Sequence, residues 1–165
     1  MFAPSRAPAP GASKPELYRD LLAQAKALFE GERDATANSA NLAALLFNGL
    51  PELNWAGFYW MKGGGLVLGA FQGKPACVRI PPGRGVCGTA AASARSVVVP
   101  DVHAFPGHIA CDSASRSEVV VPVLRSGAVI GVLDLDSPRL ARFDESDARG
   151  LEILAAAFVE ASDAG

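Results

Sequence analysis

No apolar run in the chain approaches the roughly 20 residues that span a bilayer, and the Arg6-containing start lacks the unbroken apolar stretch of a secretory signal. Neither a membrane helix nor export is therefore expected, and a cytoplasmic location is. No Lys/Arg cluster is interleaved with aromatics, and the net charge is −2, so nucleic acid is not an expected partner. Cysteine is scarce: three residues are an odd number and too few for a disulfide scaffold of this length. The set Cys77, Cys87, Cys111, His103 and His108 could supply zinc ligands by number, yet it contains no Cys-x-x-Cys clip, and only His108-x-x-Cys111 is close. No metal is expected. The stretch Gly83-Arg84-Gly85-Val86-Cys87-Gly88 matches a dinucleotide fingerprint only superficially, since no βαβ strand leads into it. Neither histidine accompanies a nucleophile elbow, which argues against a serine hydrolase. No cofactor is expected either.

What is present fits one globular domain: 165 residues, half of them hydrophobic, suffice for a self-standing core. Residues 1–13, rich in Pro, Ala and Ser, read as a loose tail, and residues 14–163 as the domain. Pro15 suits a first helical turn, and Leu17, Leu21, Leu22, Ala25, Leu28 and Phe29 recur at helical spacing until Gly31. Asp34 is placed to cap a second helix that ends at Asn48-Gly49, with Asn38 and Asn41 read as helix-surface residues. Strands are predicted at 54–61 and 66–71, 96–99, 118–124 and 128–136, with a Gly-started helix at 85–94 and a final helix capped by Asp144 or Ser146. Helices at both ends of a set of antiparallel strands make an α+β fold, a central antiparallel sheet flanked by N-terminal and C-terminal helices.

Residues 71–118 hold every cysteine and histidine, so chemistry is sought there. Period-two geometry puts Trp55, Gly57 and Tyr59 on one strand face, which either packs into the core or lines a pocket. Ile130, Val132, Asp134 and Asp136 share a face of a later strand by the same rule. Two acids on an otherwise apolar face are hard to explain as core, because a buried carboxylate needs a partner or a raised pKa. Cys87 falls near a predicted helix N-terminus, where the dipole favours thiolate.

Asn54-Trp55-Ala56-Gly57-Phe58-Tyr59, Phe71-Gln72-Gly73-Lys74-Pro75-Ala76-Cys77, Gly83 to Ala90, Val99-Pro100-Asp101-Val102-His103 through Ser117-Glu118, and Val129 to Ser137 together closely resemble the free methionine-(R)-sulfoxide reductases. These are enzymes built on a GAF domain. The resemblance runs from about Pro15 to Phe158 and is specific, because generic GAF modules share the Val-Ile-Gly-Val-Leu strand but not the three-cysteine pattern. It implies a GAF-like fold and reduction of free methionine (R)-sulfoxide. It also implies Cys111 as the attacking cysteine, Cys77 as the main resolving one and Cys87 as a second or relay thiol. A thioredoxin-like reductant is implied, and a homodimer is compatible with it.

Thiol reduction of a sulfoxide needs a thiolate, an acid to protonate the oxygen, and a second thiol to convert sulfenic acid to disulfide. Beside the implied order, the helix position of Cys87 leaves it open as an alternative attacking thiol, and a disulfide from Cys111 to either Cys77 or Cys87 is expected. Glu118 is the candidate proton donor, with Asp134 and Asp136 sharing its proton or holding the ligand. Trp55 and Tyr59 would enclose the methyl-sulfur end, and backbone N–H groups of Ala114, Ser115, Arg116 and Ser117 would receive the substrate carboxylate. A non-catalytic GAF module that senses a small ligand or a redox state is the alternative reading.

Overall fold

The computed structural model describes residues 10–164, so residues 1–9 of the tail expected at 1–13 lie outside the described residues. Its last residue, Ser13, belongs to the folded part: its hydroxyl accepts the Glu16 N–H and its own N–H donates to the Glu16 carboxylate, a reciprocal cap of α1 (Lys14–Phe29). Asp34 caps α2 (Ala35–Gly49) through the Ala37 N–H, as the sequence predicts. Asn38 departs from its expected surface position. It is buried, and its amide donates to the Glu32 carbonyl at 3.1 Å and to the Ser162 hydroxyl at 3.0 Å, tying α2 to the end of the last helix.

Six strands follow: β1 (Trp55–Lys62), β2 (Gly65–Gly73), β3 (Arg79–Ile80), β4 (Val97–Val99), β5 (Ser117–Arg125) and β6 (Ala128–Ser137). They form one antiparallel sheet in the order β3-β2-β1-β6-β5-β4. Two-residue turns at 63–64 and 126–127 close the β1–β2 and β5–β6 hairpins. The tiny edge strand β3 and a 3₁₀ turn at Val102–Ala104 carry too little periodicity to be read from sequence.

Alternation along the strands sorts the sheet into two cores. One face carries Ala56, Phe58, Val119, Val121, Val123, Leu133 and Leu135 against α1, α2 and α4 (Glu145–Ala161). The opposite face carries Trp55, Tyr59, Val120 and Val132 against α3 (Gly85–Ser93). Ile130 does not share the face of Val132 as strict alternation predicts. The β5–β6 register slips between Val123 and Leu124, and the bulge delivers Ile130 to the helical side.

The helical layer is pinned by one buried carboxylate, Asp147, in the first turn of α4. It accepts from Lys14 Nζ at 2.6 Å and Tyr18 Oη at 2.8 Å on α1, and from the Asp144 N–H at 2.9 Å, with Arg142 Nη1 3.6 Å away. Replacing it leaves the buried Tyr18 hydroxyl and the largely buried Arg142 guanidinium without their carboxylate, while Lys14 keeps Asp144 Oδ2 at 3.0 Å. Asp147→Ala should lower unfolding stability by about 3 kcal/mol, read from urea midpoints, while leaving the far sheet face intact. A loss below about 1 kcal/mol would count against this.

Candidate active site

The sheet face opposite the long helices is covered by α3 and by loops, and a cleft remains between α3, the β2–β3 connection and the loop that precedes β5. Glu118 on β5 stands opposite Asp136 on β6, and Asp134 lies two residues along the same face. All three line the cleft. Glu118 and Asp134 are buried, and Asp136 sits half-buried at the end of the strand. Burial pushes each carboxyl well above its ordinary range. The Asp134 charge adds to the effect on Glu118, that of Asp136 to the effect on Asp134, and that of Glu118 to the effect on Asp136.

Cys87, the third residue of α3, reaches this group from above. Its thiol donates to Asp134 Oδ2 at 3.4 Å and lies 4.0 Å from Glu118 Oε1. The predicted helix N-terminal position is therefore correct, but its predicted consequence is not. Burial, followed by the charges of Asp134 and Glu118, pushes the Cys87 thiol up, so the neighbouring acids outweigh the helix dipole and the group is held as a neutral thiol. Sγ and one oxygen each from Glu118 and Asp134 lie within 4.8 Å of one another, a different donor set from the Cys/His one considered from sequence. Protons already serve this cluster as shared hydrogen bonds, although Asp134 Oδ1 is buried without a partner.

Across the cleft, Cys77 and Cys111 form a disulfide with Cα atoms 5.4 Å apart, closing a 34-residue separation. Strand β1 supports one side of it. Trp55 stacks on both Tyr59 and Phe71, its indole N–H donates to the Lys74 carbonyl at 3.2 Å, and the Tyr59 hydroxyl donates to the Cys77 carbonyl at 3.1 Å. Both aromatics are buried in the core of this face and also line the cleft. Gly57 between them is required sterically, because a Cβ would collide with Phe71 and with the Trp55 indole.

Asn54 supports the other side, a role the sequence reading did not give it. Its amide donates to Asp112 Oδ2 and to Ser115 Oγ, both at 3.0 Å, fixing the segment just after Cys111. The Ala114 N–H and then the Asn54 amide hold the Asp112 carboxyl below its ordinary range. His108, for which the sequence suggests neither a metal-ligand nor a hydrolase role, places its Nε2 4.0 Å from Glu118 Oε2. The only sequence signal for either residue was membership of a recognisable block.

The backbone receptor expected at 114–117 is not open. The Ala114 N–H donates to the Asp112 carboxylate at 2.8 Å, the Ser115 N–H to the Asp112 carbonyl at 3.3 Å, and the Arg116 N–H to the Ser137 carbonyl at 2.8 Å. Ser117 is fully buried, and its hydroxyl donates to the Arg139 carbonyl at 2.5 Å. Of the four residues, Ser115 alone lines the cleft, and local turn and sheet bonds have taken the N–H donors of Ala114, Ser115 and Arg116.

Residues 36–161 match the model of the GAF domain family. The free methionine-R-sulfoxide reductase of Escherichia coli (strain K12) is 52% identical over 144 residues, spanning 87% of this chain and 87% of that protein. That of Saccharomyces cerevisiae is 41% identical over 151 residues, spanning 87% of this chain and 84% of the other. The X-ray structure of free methionine-R-sulfoxide reductase from Neisseria meningitidis in complex with its substrate superposes with a TM-score of 0.92 at 48% identity, covering 98% of this chain and 95% of that one. Identity at this level over nearly the full described length joins the α+β sheet, the three cysteines and the buried acids into one assignment: the chain belongs to the GAF domain family and, within it, to the free methionine-R-sulfoxide reductases.

Proposed function

We propose that this chain reduces free L-methionine (R)-sulfoxide to methionine, and that residues 14–163 form the single GAF domain that does so. The observation that carries the reading is the Cys77–Cys111 disulfide lying across a cleft floored by three proton-holding carboxyls. Cys111 thiolate attacks the sulfoxide sulfur while Glu118 protonates the oxygen. Oxygen passes to the cysteine, methionine leaves reduced by two electrons, and Cys111 is left as a sulfenic acid oxidised by two electrons. Cys77 then attacks the sulfenic sulfur, and the hydroxyl departs as water on taking a proton. A thioredoxin-like dithiol reduces the disulfide by exchange, which fits a reducing compartment such as the cytoplasm.

Burial of the neighbouring acids explains why Glu118 keeps a proton to give near neutrality. Cys87, held neutral, is a second thiol rather than the first attacker. Asp134 and Asp136 receive the substrate ammonium, whose charge removes the repulsion between them, and Trp55 with Tyr59 forms the apolar wall for the methyl-sulfur end. A peptide bond in place of that ammonium removes the interaction that brings substrate to the acids.

Turnover with dithiothreitol or thioredoxin should therefore be much faster on free methionine sulfoxide than on peptide-bound, and confined to the R epimer. Equal rates on both forms would exclude the reading. Peptide mapping after one equivalent of substrate should recover the Cys77–Cys111 bridge. Glu118→Gln retains size and hydrogen bonding but not the transferable proton, so single-turnover methionine release should slow by roughly 10²-fold or more with a smaller effect on KM. An undiminished rate would leave Asp134 or Asp136 as the acid.

The same carboxyls set a pH dependence of stability. Their folded pKa values lie above the unfolded ones of about 4, so the folded state holds more protons across that window. Their contribution is fully present below the unfolded pKa and is lost as pH rises through the raised folded values. Asp134→Asn should accordingly melt higher than wild type at pH 8 and lose that advantage near pH 4 in thermal scans; a constant offset would contradict the linkage.

A further inference from the structure

The proposed cycle, on which this inference rests, consumes two protons at one place: one at the sulfoxide oxygen and one at the departing hydroxyl of the sulfenic acid. Glu118 holds a single transferable proton and is 6% exposed, so it has to be reloaded inside the cleft between the two events. His108 lines the same cleft and lies beside it. Its Nε2 lies 4.0 Å from Glu118 Oε2, the oxygen that faces away from the Cys87 contact. The imidazole is itself only partly covered, and the exposed His103 ring stands edge-on to it at 6.4 Å between centroids.

The backbone holds His108 in this place. Phe105-Pro106-Gly107-His108 is a turn closed by the His108 N–H donating to the Phe105 carbonyl at 3.2 Å. Proline stands at its second position and Gly107 at the third with φ of 75°, as a type II turn requires. The ring is thereby presented three residues before Cys111, on the same wall of the cleft. Burial and the neighbouring His103 both lower the His108 pKa, which favours an imidazole that takes up a proton and passes it on rather than a fixed cation paired with the acid.

We propose that His108 is the proton-supplying residue that reloads Glu118 between methionine release and disulfide closure, with His103 at the solvent end of the path. It acts through Glu118 and does not touch the reacting sulfur. No external oxidant or reductant enters this step: a proton moves from imidazolium to carboxylate, and the imidazole recovers one from solvent or from the thiol protons shed by Cys111 and Cys77.

The two proton events separate in a single turnover of the reduced enzyme. In His108→Ala, methionine release should stay within about twofold of wild type, because Glu118 begins protonated, whereas closure of the Cys77–Cys111 bridge should slow at least tenfold. Cys111 sulfenic acid should then accumulate and be captured by a dimedone-type reagent. Added imidazole should restore closure in the variant and leave wild type unchanged, which a merely structural role for the turn does not predict. Closure at the wild-type rate would overturn the proposal and leave Asp134, which shares a hydrogen bond with Glu118, as the source. Slow closure that imidazole does not restore would also overturn it, as would equal slowing of both events. Absence of methionine release from wild type would instead remove the reductase reading itself.

Discussion

Three carboxyl groups from adjacent strands share one face of a buried sheet, and no lysine or arginine is paired with any of them among the described residues. Mutual repulsion and burial leave protonation as the way to keep them together. The rest of the site answers to that constraint: Cys87 is held as a donor to Asp134, and Glu118 is held in its proton-bearing form. The antiparallel register of β5 and β6 creates the arrangement, since Glu118 and Asp136 are directly opposed.

Sheet and cleft divide the work of folding and chemistry. Stability comes from the helical side, where Phe58, Leu133, Leu135, Leu151, Leu154 and Phe158 are packed out of water and Asp147 fixes α4 against α1. The opposite face uses aromatics for support, so that Trp55 and Tyr59 hold the cysteine loop by its carbonyls while their rings wall the cleft. Repulsion among buried acids on one face is tolerable because the other face is conventionally packed.

Much of this was legible in the residues. Helical spacing, caps at Asp34 and Asp144, and the two-residue hairpin turns are local signals, and the elements they mark are where the sequence puts them. The shared face of Trp55 and Tyr59, and the acids on β6, followed from period two alone. What escaped was non-local. Ile130 changes face through a bulge, Asn38 is drawn inward by Ser162 from the far end of the chain, and the N–H donors at 114–116 are taken by Asp112 and Ser137. The thiol of Cys87 is the sharpest case: its helix is visible in sequence, but the acids that reverse its titration arrive from strands 31 and 47 residues away.

The Cys77–Cys111 bond encloses β3, α3 and β4 in one covalent ring, and one of its ends hangs from an edge strand of two residues paired only to β2. Cross-linking a ring of this size removes chain entropy from the unfolded state worth about 4 kcal/mol. Each catalytic cycle therefore alternates between a stapled chain and an unstapled one, and the unstapled, competent form is the less robust of the two. Under oxidative attack the pool of this protein would drift toward its heat-resistant, idle form, so that resistance to unfolding and readiness to react vary in opposite directions, with the supply of reductant setting the balance.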